Sequence, residues 1–205
     1  DLMLALPYQQ FEDIEESINM IEVLKPAHIS YYSLIIEENT LMEKLYENKK
    51  SIFADESEDR KMYHYVVNNL EKLGYHQYEI SNFAKKDFVS IHNKRYWTLD
   101  NYIGFGPSAH SNIDNIRSFN HNNLNDYSND IEKNKLPILD FEELSKVDRI
   151  NEFSIMGLRM NTGIDINLAN KRFNINFLKY YKKEIEKNIN NNLISIQDNF
   201  IHLTE

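Results

Sequence analysis

Residues 1–36 have the sequence DLMLALPYQQFEDIEESINMIEVLKPAHISYYSLII, which predicts a strand, a helix and a second strand. The opening run Asp1–Pro7 is almost continuously apolar, as in a strand buried on both faces of a parallel sheet. The next apolar residues recur at spacings of three and four and predict one helix face: Phe11, Ile14, Ile18 and Ile21. Ile29–Ile36 is apolar again and predicts the second strand. This order of elements is typical of α/β proteins.

The length and composition predict a folded protein. The chain has 205 residues, of which 41% are apolar, and this is enough to bury a sizeable core. It contains no cysteine, so the chain alone cannot form disulfides or thiolate-held zinc or iron–sulfur sites. A net charge of −9 argues against general attraction to nucleic acid or anionic lipid. No apolar run approaches the roughly 18 residues of a membrane helix, and we expect a soluble, cytoplasmic protein.

The middle of the chain predicts a further helix and two extended segments. The helix has an apolar stripe made of Met62, Val66, Leu70 and Leu73. Gly74 follows it at the position expected of a left-handed C-terminal cap. Residues 75–83 and 101–110 are expected to be extended. A chain that opens inside a strand also leads us to expect that an amino-terminal half is missing, because one βαβ unit cannot cover its own sheet.

From Asn122 onward the pattern changes to helices of mixed polarity. Gly163–Asp165 is expected to end one helix and to cap the next. The last two apolar stretches flank Asp198 and Asn199, which predicts a β-hairpin. We therefore predict two domains, residues 1–121 and residues 122–205, and a helical, winged-helix-like fold for the second.

The segment His92–Trp97 is the first candidate for binding chemistry. Its sequence His-Asn-Lys-Arg-Tyr-Trp places an imidazole near two aromatic side chains. Such a combination suits the edge of a porphyrin and its iron. The same residues equally suit a structural histidine beside a buried tryptophan, and the sequence leaves both interpretations open.

Two other segments are candidates for ligand contacts. Gly104–Ser111 has two glycines and several small residues, which let the backbone approach a flat or charged ligand. A tight turn packed against the fold explains the same residues. The carboxylate of Asp1 is costly to bury unless it meets a hydroxyl, an amine or a cation. A polar residue at an exposed chain end explains Asp1 as well.

A basic stretch in the terminal region raises a different class of function. It consists of Lys171, Arg172, Lys179, Lys182 and Lys183. In a winged-helix-like domain such side chains can bind DNA. Glu184 and Glu186 lie among them, so a solvated helix face explains the stretch too.

In their order along the chain, these segments resemble the oxygen-independent coproporphyrinogen III oxidase family of radical S-adenosylmethionine proteins. Asp1–Pro7 with Gln9 is similar to the family's D-L-I/M-x-G-L-P-x-Q strand. Ile29–Leu34 followed by Glu37 is similar to its next strand, and Tyr78–Ala84 to its Y-E-I-S-N-F-A segment.

The later motifs resemble one branch of that family. His92 and Asn93 with Tyr96 and Trp97 are similar to the H-N-x-x-Y-W motif of its haem-chaperone branch. The two final matching segments are Gly104–Ser111 and Gly157–Arg159.

The resemblance implies an α/β fold, the carboxy-terminal part of a partial (β/α)6 barrel, followed by a helical domain. In this family the barrel holds S-adenosylmethionine against a [4Fe–4S] cluster, whose three cysteines belong to the amino-terminal half. The fragment by itself is therefore expected to be inactive. By motif position, Asp1, Ile35 and His110 would contact S-adenosylmethionine, although the oxidase branch has an apolar residue at the position of His110.

Two departures from the family pattern lie next to the first strand. Ala5 replaces the usual glycine, and Tyr8 and Gln10 replace the glycine and threonine around Gln9. Losing glycine removes the freedom to adopt positive φ and adds a methyl group where a ligand approaches.

The resemblance implies two alternative functions for the intact protein. In the chaperone branch it implies haem binding and delivery to an acceptor protein, with His92 as the candidate haem ligand. In the oxidase branch it implies radical decarboxylation of coproporphyrinogen III. The residues His92–Trp97 favour the chaperone.

Overall fold

The computed structural model describes residues 1–204. The chain divides into two compact units, residues 1–90 and residues 91–205. The domain boundary predicted from the change of residue pattern, between residues 121 and 122, stays a prediction.

The first unit begins with the predicted strand, helix and strand. Its elements are β1 (Leu2–Leu4), α1 (Phe11–Leu24), β2 (His28–Ser33), α2 (Leu41–Asn48), a short 3-10 helix (Lys50–Ile52), α3 (Glu56–Lys72), β3 (His76–Glu79) and β4 (Asn82–Ala84). The sheet order is β1-β2-β4-β3. β1 and β2 are parallel, whereas β4 is antiparallel to both β2 and β3. The second strand ends at Ser33, three residues before the predicted end.

Helices α1 and α3 form the core of the first unit with its sheet. The buried side chains are Leu4, Ile14, Ile18, Ile21, Ile29, Tyr31, Met62, Val66, Leu70, Tyr75 and Phe83. Burial of each large apolar side chain contributes about 1.5–3 kcal/mol, so these stripes fix both helices on the sheet. Asp55 and Glu58 form a capping box at the start of α3. Gly74 follows α3 with φ +83°, which confirms the predicted left-handed cap.

The second unit contains two further sheets. Its elements are α4 (Ile91–Trp97), β5 (His110–Ile113), β6 (Ile116–Asn120), α5 (Leu124–Glu132), β7 (Ile138–Glu143), α6 (Lys146–Arg159), β8 (Ile164–Asp165), α7 (Ile166–Phe173), α8 (Phe177–Tyr180), α9 (Lys182–Asn190), β9 (Ile194–Gln197) and β10 (Phe200–Leu203). The sheet orders are β5-β6-β7 and β8-β10-β9.

The sheet β5-β6-β7 differs from the sequence-based expectation in two places. Residues 101–110 are mainly a loop, in which Tyr102 makes an isolated antiparallel bridge with Asn112 and the strand begins only at His110. β7 falls within the region predicted to be helical. All six of its residues are exposed, so its side chains show no alternation between a buried and an exposed face.

The terminal part of the second unit matches the predicted helices and hairpin. Gly163 has φ +72°, and the Asp165 side chain accepts a hydrogen bond from the Leu168 amide at the start of α7. β9 and β10 pair around Asp198 and Asn199, whose φ values of 48° and 67° are those of a type I′ turn. The predicted cap at Asp165 and the hairpin are therefore confirmed, whereas α6 already ends at Arg159 with the extended residue Met160 as its cap, so Gly163 does not end that helix.

Within residues 1–204, no helix is both long and apolar enough to cross a membrane.

Candidate functional site

The histidine of the H-N-x-x-Y-W motif lies in the first turn of α4 and is exposed. Tyr96 follows it by four residues and therefore projects from the same helix face. The hydroxyl oxygen of Tyr96 lies 3.2 Å from Nε2 of His92. The two ring centroids are 5.1 Å apart, with an edge-to-face angle of 83°.

A third ring extends this contact. Tyr102, in the loop that follows α4, packs edge-to-face on Tyr96 with the ring centroids 4.7 Å apart. Burial raises the pKa of the Tyr102 hydroxyl, and the charge of Arg117 opposes this shift. We call His92, Tyr96 and Tyr102 the aromatic row. Tyr102 is outside any motif, so its place in the row was not predicted from the sequence.

The carboxyl end of α4 is held by two arginines. The guanidinium of Arg159 lies 4.3 Å from the ring centroid of Trp97, which is a cation–π contact between α6 and α4. Arg172 of α7 donates hydrogen bonds to the carbonyl oxygens of Thr98 and Leu99, at 2.7 and 2.6 Å. Burial lowers the pKa of Arg172. Trp97 is thus structural, whereas His92 lies at the opposite, exposed end of the helix.

The glycine-rich loop is closed by contacts within the chain. Gly104 faces the carbonyl oxygen of His110 so closely that a side chain at position 104 would overlap it. The Asn120 amide Nδ2 donates to the carbonyl oxygens of Gly104 and Gly106, at 3.3 and 3.0 Å. The Gly106 amide donates to the Tyr127 hydroxyl at 3.1 Å. The close approach that Gly104 permits is therefore used by the protein itself, whereas Gly106 has open space beside it and a positive φ of 101°.

The same loop exposes an aromatic side chain. Phe105 lies between the two glycines and is 84% exposed. The Gly104 amide donates to the Ser111 hydroxyl at 3.0 Å, which adds a further constraint on the backbone beside Phe105. The Phe105 ring is thus exposed to solvent on a loop whose backbone is fixed by hydrogen bonds within the chain.

The residues predicted to contact S-adenosylmethionine lie at different places in their own units. Asp1 is exposed and precedes the amino end of β1, whereas Ile35 follows the carboxyl end of the parallel strand β2 and is 76% exposed. The two residues therefore lie at opposite ends of the paired strands. In the second unit, His110 is exposed at the start of β5, with its ring centroid 5.5 Å from that of Phe119. Their role as ligand contacts stays a prediction.

A cleft of about 620 Å³ opens at the carboxyl ends of β1 and β2. It is lined by apolar residues, two of which flank Ile35, and by five carboxylates: Glu43, Glu47, Asp55, Glu56 and Asp59. Ser33, the last residue of β2, donates a hydrogen bond of 2.6 Å to Asp59. The chemistry of this lining favours a cationic ligand with an apolar part.

The turn between β1 and α1 keeps the backbone conformation that glycine favours. Ala5 has φ 57° and Tyr8 has φ 64°, both in the left-handed region. The Gln9 side chain closes this turn, since it accepts from the Leu6 amide and donates to the Met3 carbonyl oxygen, each at 3.1 Å. The two non-glycine residues therefore occupy a turn that is suited to glycine.

The described residues 1–204 contain no cluster of three histidine, aspartate or glutamate side chains suited to a metal ion.

The basic stretch of the terminal region is partly used within the fold. Arg172 donates a hydrogen bond to the carbonyl oxygen of Thr98, just after α4. The Lys182 ammonium nitrogen lies 3.8 Å from a carboxylate oxygen of Glu186.

Sequence comparisons connect these motifs to known proteins. Residues 144–205 match the family described as the HemN C-terminal domain. The chain is 36% identical over 173 residues to the haem chaperone HemW of Bacillus subtilis, a match that covers 84% of this chain and 45% of that protein. It is 32% identical over 207 residues to HemW of Lactococcus lactis, which covers 100% of this chain and 54% of that protein.

The fold matches a solved structure. The radical S-adenosylmethionine enzyme HemN, the coproporphyrinogen III oxidase of Escherichia coli, superposes with a TM-score of 0.78 at 18% identity. The match covers 100% of this chain and 50% of that chain. This likeness confirms the predicted α/β fold. The chain spans about half the length of the curated relatives it matches.

Proposed function

Because the chain belongs to the HemN and HemW family of radical S-adenosylmethionine proteins, we propose that the protein is a haem chaperone. It binds haem through His92 and delivers it to an acceptor protein. The observation that carries the proposal is the exposed imidazole of His92 at the amino end of α4, beside the ring of Tyr96, on which Tyr102 packs.

The contacts that hold the carboxyl end of α4 favour a ligand role for His92. A ligand side chain binds best when the element that bears it is held in place. Arg159 and Arg172 hold the carboxyl end of α4, through Trp97 and through the carbonyls of Thr98 and Leu99. His92 takes no part in these contacts, and its exposed imidazole contacts Tyr96 of the same helix.

The surroundings of His92 suit a flat, largely apolar group. Ile91, its neighbour in the chain, is 73% exposed, and the Tyr96 ring lies beside the imidazole. An imidazole is a common axial ligand of haem iron, and apolar or aromatic surfaces pack against the macrocycle. An exposed site of this kind also leaves bound haem accessible to an acceptor, which delivery requires.

The proposal includes S-adenosylmethionine as a cofactor of the intact protein. This molecule carries a positive sulfonium and an amino group, which fit the carboxylate-lined cleft at the ends of β1 and β2. By motif position Asp1, Ile35 and His110 are the proposed contacts, of which Ile35 adjoins this cleft between Leu34 and Ile36, whereas Asp1 precedes the other end of β1 and His110 belongs to the second unit. A [4Fe–4S] cluster would need thiolates from elsewhere, because this chain has no cysteine. When bound, the cluster and S-adenosylmethionine supply one-electron chemistry.

A haem titration tests the ligand assignment. The 205-residue chain is titrated with haem while its Soret band is followed, and His92→Ala is compared with His76→Ala, an exposed histidine at the start of β3. We expect His92→Ala to weaken binding at least about tenfold, which corresponds to about 1.4 kcal/mol. Wild-type affinity in His92→Ala would overturn the assignment.

The oxidase is the rival function, and the likeness to HemN in fold alone does not favour it. It requires anaerobic release of carbon dioxide from coproporphyrinogen III by the intact protein loaded with cluster, S-adenosylmethionine and a reductant. We expect no release from that protein. Sustained release would favour the oxidase over the chaperone.

A further inference from the structure

We infer that Tyr96 controls the availability of His92: its hydroxyl occupies Nε2 of the imidazole, and iron reaches that nitrogen only when this hydrogen bond opens. The inference rests on the proposed function for the identity of the ligand. The hydrogen bond itself belongs to the described structure, with an oxygen-to-nitrogen distance of 3.2 Å.

The chemistry of imidazole makes this contact decisive. A neutral imidazole has one N–H group and one lone pair, on different nitrogens. When the Tyr96 hydroxyl donates to Nε2, the lone pair is in use and the proton is on Nδ1. Neither nitrogen of His92 is then free to bind iron. A hydroxyl donor and a neutral imidazole acceptor are matched partners, and this is the arrangement we assign.

The position of the two nitrogens supports the assignment. Nδ1 is adjacent to the carbon that bears Cβ and lies close to the α4 backbone, whereas Nε2 is on the far side of the ring. A wide planar macrocycle approaches Nε2 with fewer clashes. The nitrogen that Tyr96 covers is therefore the one that haem iron would use.

The strength of the contact suits a site that must open. At 3.2 Å the hydrogen bond is at the long end of the normal range. A neutral hydrogen bond at an exposed position contributes little net free energy, so its opening reduces ligand affinity by roughly three- to tenfold. The Tyr96 ring stays packed on Tyr102, which keeps the hydroxyl close to His92.

Tyr96→Phe tests the inference without haem, because it removes the hydroxyl and keeps the ring. Diethyl pyrocarbonate modifies an imidazole nitrogen only where the lone pair is free. The rate at His92 is measured by mass spectrometry, with His76 of the same chain as internal reference. We expect the rate at His92 to rise roughly three- to tenfold in Tyr96→Phe. Tyr102→Phe is the control, since it retains the contact between Tyr96 and His92, and its rate should equal that of the wild type.

A second measurement needs no variant. Nitrogen-15 NMR of the imidazole in the wild-type chain should show the tautomer with the proton on Nδ1. A proton on Nε2, or an unchanged reaction rate at His92 in Tyr96→Phe, would overturn the inference.

Haem titration then separates this inference from the proposed function. If His92 ligates iron, Tyr96→Phe should bind haem roughly three- to tenfold more tightly than the wild type. If neither chain binds haem while the reaction rate at His92 rises, the control by Tyr96 stands and the haem proposal fails. Weaker haem binding by Tyr96→Phe would contradict the inference, because it would make the hydroxyl a support for ligation.

Discussion

Gly104 faces the carbonyl oxygen of His110 at a distance that leaves no room for a side chain. This contact fixes the loop before β5, because it holds Gly104 against His110, the residue at which the strand begins. The residue at position 104 therefore determines how the loop that carries Phe105 is closed.

We predict that Gly104→Ala destabilises the protein by about 1–3 kcal/mol, because the added methyl group must displace backbone. Thermal unfolding followed by circular dichroism measures the change. Phe105→Ala in the same loop is the control and should lie within about 0.5 kcal/mol of the wild type, since the ring is 84% exposed. Equal stability of Gly104→Ala and the wild type would contradict the described loop.

The sequence predicted those parts of the fold that depend on local chemistry. Three residues of the predicted stripe, Ile14, Ile18 and Ile21, are buried in α1, whereas its first residue, Phe11, is exposed. The turn at Asp198 and Asn199 has the positive φ values of a hairpin. In both cases residues close together in the chain carry the pattern that indicates the structure. Apolar spacing and turn preferences are therefore sufficient there.

Residues 101–110 and β7 were wrongly predicted because distant residues determine them. The loop is held by the side chain of Asn120 and the hydroxyl of Tyr127, which are 14 or more residues away. β7 is a strand because it pairs with β6, although none of its six residues is buried. Neither effect leaves a periodic pattern in the local sequence.

The candidate site was predicted in part. The motif gave His92, Tyr96 and Trp97, but left open whether His92 is a ligand or a structural histidine beside a buried tryptophan. The structure buries much of Trp97 against Arg159 and leaves His92 exposed. The role of Arg172 was not predicted, because a hydrogen bond across 73 or 74 residues has no local sequence pattern.

Arg172→Lys should destabilise the second unit, because a lysine cannot place two N–H groups on the carbonyls of Thr98 and Leu99 at once. We expect a loss of about 1.5–3 kcal/mol in chemical denaturation. Lys171→Arg, at the neighbouring exposed position, should change stability by less than about 0.5 kcal/mol. A similar effect of both substitutions would show that the two hydrogen bonds of the Arg172 guanidinium do not hold the end of α4.

The stability of the first unit should fall as the pH decreases through the histidine range. Burial lowers the pKa of His28, and the charge of Glu79 opposes this shift. The folded state therefore takes up a proton less readily than the unfolded state. The contribution of His28 to stability is fully present above its pKa of about 6.5 in the unfolded chain. This contribution is lost as the pH falls from there through the lower pKa of His28 in the folded chain.

His28→Gln should reduce this loss. Urea unfolding between pH 7 and pH 5 should show a shallower decline for the variant than for the wild type. The slope with pH is the measured quantity, because the substitution also removes the 2.8 Å contact between His28 and Tyr78. The exposed His76→Gln should keep the wild-type slope. Parallel curves for His28→Gln and the wild type would contradict the lowered pKa.

Ala5→Gly should stabilise the protein, although glycine usually destabilises. Ala5 has φ 57°, and the left-handed region costs a residue with a Cβ about 1–2 kcal/mol. Glycine removes this cost but loses about 0.5–1 kcal/mol through its greater freedom in the unfolded chain. The expected net gain is up to about 1.5 kcal/mol, measured by urea unfolding. Ala27→Gly is the control, because Ala27 precedes β2 and has no positive φ, and this substitution should reduce stability. An equal loss of stability in Ala5→Gly would show that position 5 carries no backbone strain.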